Sequence, residues 1–261
     1  MRLAPLLLLA VLPCGAWDTP PHQKITRAAL DSLPRSLAER FGTESGPLVE
    51  IYCIYPDRYV EMEEYGFVRK TPGPHSASEI RVYCVRPDGR PIHGATYDRE
   101  DDLRSLVYLF ERIAGNLADG RRAEAAQYAG VLSHFIADSF SPPHAVAADR
   151  LLALGRRAES GCNINLHAVI ERSVPEFTLR ARAPRTARTS IPEAAGSTLE
   201  ACYAGLDRNR QDLPLIVEAA CARDEKRLDE YRLKAAVRSA EVLADALGAL
   251  LTMAERRGMD F

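Results

Sequence analysis

Residues 132–145 read LSHFIADSFSPPHA, and this stretch decides the expected fold. It closes a segment, residues 121–140, in which apolar side chains recur every three or four positions, as they do on one face of a helix. A Pro-Pro pair then ends the helix, because proline lacks an N–H and clashes inside a helix. His134 and Asp138 lie four positions apart and therefore point from the same side of this helix. His144 follows the proline pair directly.

A second pair with the same spacing lies further along the chain. His167 and Glu171, in the string NLHAVIE, fall in a helix expected over residues 163–174. Imidazole and carboxylate groups are ligands that suit zinc. Either pair alone is compatible with a surface contact that stabilises a helix by a few tenths of a kcal/mol. Both pairs together, with a further histidine beside the first, predict a metal site.

The remaining pattern is mostly helical. Apolar periodicity predicts further helices over residues 20–37, 101–118, 194–221 and 224–257. Residues 42–100 hold six prolines and many glycines and are expected to be a long irregular segment. Within it, IRVYCV at residues 80–85, followed by the turn signal PDG, indicates a short strand or hairpin. The expected fold is mainly α, a single compact helical domain with one long irregular loop region that contains a short hairpin.

The N-terminus has the layout of a secretory signal peptide. Arg2 precedes a short apolar run, and the small residues Gly15 and Ala16 follow it. Cleavage after residue 16 would leave Trp17 as the first residue of a mature domain over residues 17–261, secreted or periplasmic. An uncleaved anchor, or a lipoprotein acylated at Cys14, is the alternative. The run is too short to cross a bilayer, and no other apolar stretch is long enough.

Composition narrows the classes of protein further. The 261 residues carry a net charge of −2, so no overall basic field attracts nucleic acid, and polyanion binding would need a local patch or a metal. An exported chain with five cysteines after residue 16 makes disulfides plausible. Proximity along the chain suggests the pairs Cys53–Cys84 and Cys202–Cys221.

The string at residues 132–145 resembles the signature of the zinc-dependent phospholipase C and single-strand-specific nuclease superfamily. NLHAVIE is similar to a later helix of that family, which carries a histidine and a carboxylate. The family's mature chains begin with a tryptophan, and Trp17 followed by His22 is similar to the start of its nuclease branch. The resemblance implies a helical fold that holds three zinc ions in a cleft.

Carried over by position, the resemblance implies three sets of zinc ligands. Asp57, His75, His134 and Asp138 would bind the first ion, and His144, His167 and Glu171 another. Trp17, through its amino nitrogen and carbonyl oxygen, would bind the remaining ion with His22 and the shared carboxylate of Asp138. One position stays open, because His93 also follows Asp57 and lies just before the next helix.

The implied activity is hydrolysis of phosphate esters by an attacking water, with Asp57 orienting or deprotonating that water. Single-stranded nucleic acid is the favoured substrate, because the spacing from Trp17 to His22 and the gap from His144 to His167 resemble the nuclease branch. A phospholipid headgroup is the alternative, which Glu171 in place of aspartate favours. The third interpretation is an exported binding protein without catalytic activity, in which zinc only stabilises the fold. The protein is expected to be a monomer.

Overall fold

The fold is a bundle of helices, as the apolar periodicity predicts. The structure is a computed structural model, and it describes residues 19–63, 75–159, 161–172, 179–185 and 190–259, none of which forms a β-strand. The mainly α class is confirmed. The α-helices in chain order are α1 (Thr19–Asp31), α2 (Arg35–Ala38), α3 (Ser45–Glu50), α4 (Tyr55–Glu63), α5 (Ala77–Cys84), α6 (Arg99–Ala118), α7 (Arg122–Ser139), α8 (Ala148–Arg157), α9 (Leu166–Glu171), α10 (Ile191–Cys221) and α11 (Glu225–Met259). Short 3-10 helices cover Glu39–Glu44, Tyr52–Ile54 and Pro142–Ala145.

Helix α7 lies at the centre of the bundle. Every residue from Tyr128 to Ser139 is buried, and α1, α3, α6, α10 and α11 pack around the helix. A helix that is buried on all sides is normally apolar all round. His134 and Asp138, both fully buried, are therefore exceptions that need partners inside the protein.

Close packing against α7 depends on Gly130. A Cβ at this position would lie 2.4 Å from the carbonyl carbon of Tyr52, in the 3-10 helix Tyr52–Ile54. Only glycine allows this segment to lie so near α7. The contact fixes the backbone around Cys53, whose carbonyl oxygen reaches the metal-ligand candidates described below.

The strand expected at residues 80–85 is wrong. These residues belong to α5, which begins with a capping box in which Ser76 and Glu79 satisfy each other's backbone N–H groups. This local cap outweighs the β-propensity of the valine, isoleucine and tyrosine side chains in the run. What remains of the hairpin is a single antiparallel bridge between Val85 and Pro91, around a turn with Gly89 at φ +84°.

The segment over residues 42–100 is also more helical than expected where it is described. Two of its prolines lie in the first turns of α3 and α4, as Pro47 and Pro56, where a missing N–H costs nothing. A proline has the opposite effect earlier in the chain. Pro34 divides the helix expected over residues 20–37 into α1 and α2.

The suggested disulfides are wrong as well. Cys162 is bonded to Cys221, with Cα atoms 5.3 Å apart, and this bond ties the loop before α9 to the end of α10. Cys53, Cys84 and Cys202 are buried free thiols. Proximity along the chain fails here because the helices, not the local sequence, bring cysteines together. A disulfide indicates an oxidising compartment. Within the described part of the chain, no helix is both long and apolar enough to cross a membrane.

Candidate metal centre

Imidazole and carboxylate side chains from separate parts of the chain meet beside the C-terminal half of α7. They come from α1, α4, α7 and α9, from the loop before α6, and from the 3-10 helix that follows α7. The eight residues are His22, Asp57, His93, His134, Asp138, His144, His167 and Glu171. Their ligand atoms form overlapping groups of three in which all atoms lie within 4.8 Å of one another.

Asp138 is the centre of the larger group. Its carboxylate oxygens lie 3.4 Å from Nε2 of His22, 3.0 Å from Nε2 of His134 and 2.9 Å from Nδ1 of His93. One buried carboxylate therefore faces three imidazoles. A carboxylate with this surrounding can bridge two cations, since each of its oxygens can bind one.

Asp57 faces the same three imidazoles. Its Oδ1 lies 3.3 Å from Nε2 of His93 and 3.5 Å from Nε2 of His134, and its Oδ2 lies 3.9 Å from Nε2 of His22. Its side chain is 17% exposed, whereas that of Asp138 is fully buried. Asp57 is therefore the carboxylate that an incoming molecule can reach.

A backbone contact sets the tautomer of His134. Its Nδ1 donates a hydrogen bond to the carbonyl oxygen of Cys53 over 2.9 Å. The other ring nitrogen, Nε2, faces the two aspartates and is the atom that would bind a cation. Second hydrogen bonds of this kind orient histidines that bind metals.

The smaller group contains His144, His167 and Glu171. Oxygens of Glu171 lie 3.4 Å from Nε2 of His144 and 2.8 Å from Nδ1 of His167. Ser141 donates a 2.5 Å hydrogen bond to Oε1 of Glu171 and fixes the carboxylate. His144 also connects the two groups, because its ring lies 6.0 Å from that of His93, with the ring planes 12° apart.

The donor atoms fit a bound cation. Several are buried and form no hydrogen bond with any described residue, namely both ring nitrogens of His22, Nε2 of His134 and of His144, both oxygens of Asp138, and Oε2 of Glu171. Buried polar atoms in folded proteins almost always have a partner. Here several nitrogen and oxygen atoms converge and lack such a partner among the described residues. Zinc prefers ligand atoms of these types.

The carboxylates and imidazoles of the centre shift one another's pKa values. Burial alone would raise the pKa of Asp138, but the charges of His134 and His93 outweigh it and hold that pKa well below its ordinary value. The pKa of Asp57 is lowered for the same reason, against the effect of burial. Burial lowers the pKa of His93, yet Asp138 and Asp57 raise it to about 10. The two carboxylates are therefore ionised at neutral pH, as metal ligands must be, and a bound cation would displace the proton that His93 carries in its absence.

The structure separates the two histidines that were open for the position after Asp57. It brings His93 to Asp57 and Asp138, whereas Nδ1 of His75 forms a 2.6 Å hydrogen bond with the hydroxyl of Tyr55. The chosen ligand, His75, thus lies outside the groups above, and the alternative, His93, lies inside them. Trp17, expected to bind the remaining ion, falls outside the described residues.

Comparison with known protein families shows the family to which the chain belongs. The family model described as zinc dependent phospholipase C matches residues 21–203, more than half of the chain. The chain belongs to the zinc dependent phospholipase C family. Neither the curated proteins nor the solved structures gave a match. Membership in the zinc dependent phospholipase C family makes the chain a zinc-dependent hydrolase of phosphate ester bonds at the level of the family, and it confirms the resemblance read from residues 132–145.

Some contributors to the centre have no signal in the sequence. Ser141 and the carbonyl group of Cys53 act on ligands through the fold alone. Arg232 is another, since this buried arginine of α11 donates to the carbonyl oxygens of Val169 and Ile170 at the end of α9. It holds the short helix that carries His167 and Glu171.

Proposed function

We propose that the protein hydrolyses phosphodiesters with three zinc ions held in this centre. Asp57, His93, His134 and Asp138 bind one ion in this proposal, and Trp17 and His22 bind a second with Asp138. The third ion is bound by His144, His167 and Glu171. The observation that carries the proposal is the carboxylate of Asp138, fully buried, without a hydrogen bond to a described residue, and faced by three imidazoles.

Zinc bound in such a site acidifies water and neutralises charge on phosphoryl oxygens. The protein's own part in the reaction falls to Asp57. This carboxylate is partly exposed beside the histidines, so it can accept a hydrogen bond from the attacking water and aim it at phosphorus. Its lowered pKa makes it a weak base, which favours orientation of the water over retention of the proton.

A phospholipid headgroup is the first substrate candidate, because the matching family carries that activity in its description. Single-stranded nucleic acid is the second, on the spacing of Trp17 to His22 and of His144 to His167 described above. The net charge of −2 gives nucleic acid no general electrostatic attraction, so the zinc ions themselves would bind its phosphates.

The test compares purified mature protein on phosphatidylcholine vesicles and on single-stranded DNA, with bound zinc counted beforehand. Release of phosphocholine alone supports the phospholipase, and cleavage of DNA alone supports the nuclease. An Asp138→Ala variant controls for contaminating hydrolases. Bound zinc with neither activity contradicts both substrate assignments and favours a binding protein that zinc staples.

Removal of residues 1–16 belongs to the same proposal, because an extension would occupy the amino group of Trp17. The disulfide supports export to an oxidising compartment, and we propose that the exported protein acts as a monomer. N-terminal sequencing of the exported protein tests the cleavage. Sedimentation tests the oligomeric state.

A further inference from the structure

His93 differs from the other candidate ligands in how it is held. The other candidates among the described residues lie on helices, whereas His93 lies in the connection between α5 and α6, whose last part, residues 93–98, is a loop that leads into α6. A ligand on a loop has no helical backbone to fix its direction, so other contacts must do so. The loop makes such contacts on two sides.

On the first side the loop packs against α7. A Cβ added to Gly94 would lie 2.9 Å from Cβ of Asp138, so the glycine allows the backbone to approach the central carboxylate. The next residue, Ala95, donates its N–H to the hydroxyl of Ser139 over 3.0 Å. These two contacts hold the loop close against α7.

On the second side a buried carboxylate holds the loop. Asp102, on the first turn of α6, is 2% exposed. It accepts hydrogen bonds from the backbone N–H of Thr96 at 2.8 Å and from the hydroxyl of Thr96 at 2.9 Å. The hydroxyl of Tyr203, on α10, donates to the same carboxylate over 2.9 Å. Asp102 thus joins the loop, α6 and α10 at one point.

The backbone between His93 and Asp102 adopts an unfavourable conformation. Tyr97 has φ +68°, in the left-handed region that residues with bulky side chains rarely adopt. Its ring stacks on Tyr203 with the centroids 5.4 Å apart, and the guanidinium of Arg210 covers it at 4.5 Å. Arg210 also donates to the carbonyl oxygen of Ala145, next to His144. This backbone conformation persists because the contacts with Tyr203 and Arg210 hold it.

We propose that Asp102 and Tyr203 are positioning residues that direct His93 toward the zinc ions. The inference rests on the proposed function, since it gives the pair a role only if His93 binds metal. Asp102 anchors the loop through Thr96, and Tyr203 fixes Asp102 through its hydroxyl and Tyr97 through its ring. Helix α10 contributes no ligand among the described residues, yet through Tyr203 it controls the direction of one.

The test measures zinc affinity by competition with a chromophoric chelator in Asp102→Asn and Tyr203→Phe. Loss of an outer partner of a metal ligand typically weakens binding by roughly 10- to 100-fold. Because Asp102 acts on His93 through Thr96 rather than by direct contact, we expect a weakening at the lower end of this range, roughly 10-fold, for Asp102→Asn and a smaller one for Tyr203→Phe, which keeps the ring stack. Thr198→Val on α10 is the matched control, because it removes a buried hydroxyl that donates only to Ala194 of its own helix. Its zinc affinity should equal that of the unmodified protein.

Stability is measured alongside, with and without zinc. If either variant lowers unfolding stability equally in both conditions and leaves zinc affinity unchanged, the pair is structural and the inference is overturned. Tyr203→Phe keeps the core filled and decides the matter if Asp102→Asn does not fold. Unmodified protein that binds no zinc would instead overturn the proposed function, and the inference would fall with it.

Discussion

The rings of His22 and His134 stack face to face, with centroids 4.1 Å apart and planes 11° apart. One ring comes from α1 and the other from α7, and both are fully buried. Both nitrogens of His22 and Nε2 of His134 lack a hydrogen bond to any described residue. Three ring nitrogens buried in one stack without a hydrogen-bond partner among the described residues are placed as ligands of a cation would be.

Asp138 should matter for more than one ion. Among the histidines that the structure describes, Asp138 faces His22, His93 and His134, whereas Glu171 faces His144 and His167. We expect Asp138→Ala to remove more zinc per molecule than Glu171→Ala, and to lower the rate by more than the roughly 10- to 100-fold typical of outer partners. Elemental analysis after desalting gives the zinc count. Equal losses in the two variants would contradict a shared role for Asp138.

The two histidines after Asp57 should respond differently to replacement. His93→Ala removes a ring within 3.3 Å of both aspartates, so zinc content and hydrolysis should fall together. His75→Ala removes the hydrogen bond with Tyr55 and the ring contacts with Tyr52 and Tyr55, and it should cost about 1 kcal/mol of unfolding free energy with zinc retained. Zinc analysis and thermal unfolding of both variants separate the cases. The result opposed to this assignment is loss of zinc from His75→Ala alone.

The Cys162–Cys221 bond should stabilise the region that carries α9. It closes a sequence separation of 59 residues, and a bond of this kind is worth about 2–4 kcal/mol of unfolding free energy. The double variant Cys162→Ser, Cys221→Ser should lose that amount in urea unfolding. Reductant should lower the stability of the unmodified protein to the same level and leave the variant unchanged. A reductant effect of equal size on both proteins would point to another cause.

Two glycines provide a matched test of the packing around α7. Gly130→Ala places a methyl group 2.4 Å from the backbone of Tyr52 and should cost about 1–3 kcal/mol, because the core must shift. Gly115→Ala on α6 meets nothing within 4 Å and should stabilise the protein by roughly 0.5–1 kcal/mol, since alanine favours a helix. Thermal unfolding of the pair measures both effects. Equal shifts in the same direction would show that the approach of Tyr52 to Gly130 is not tight.

Much of the fold follows from local pattern. Four long helices lie within a few residues of their predicted positions, namely α6, α7, α10 and α11. A long stretch with apolar residues every three or four positions can bury all of them together only as a helix. The short helix α9 also lies within the helix predicted over residues 163–174, but other short elements do not follow from periodicity. Helix α5 was mistaken for a strand because its capping box outweighs the β-propensity of its side chains, a balance that periodicity does not reveal.

The sequence by itself determined which pairs lie on a common helix face, namely His134 with Asp138 and His167 with Glu171, since a spacing of four fixes that relation. Only the tertiary structure decided that His93 rather than His75 reaches Asp57, and that Cys221 meets Cys162. Direction along a helix is a local property of the backbone. Contacts between residues far apart in the chain, such as His93 with Asp57 or Cys162 with Cys221, depend on how whole helices pack. The local sequence pattern around each residue does not predict that packing.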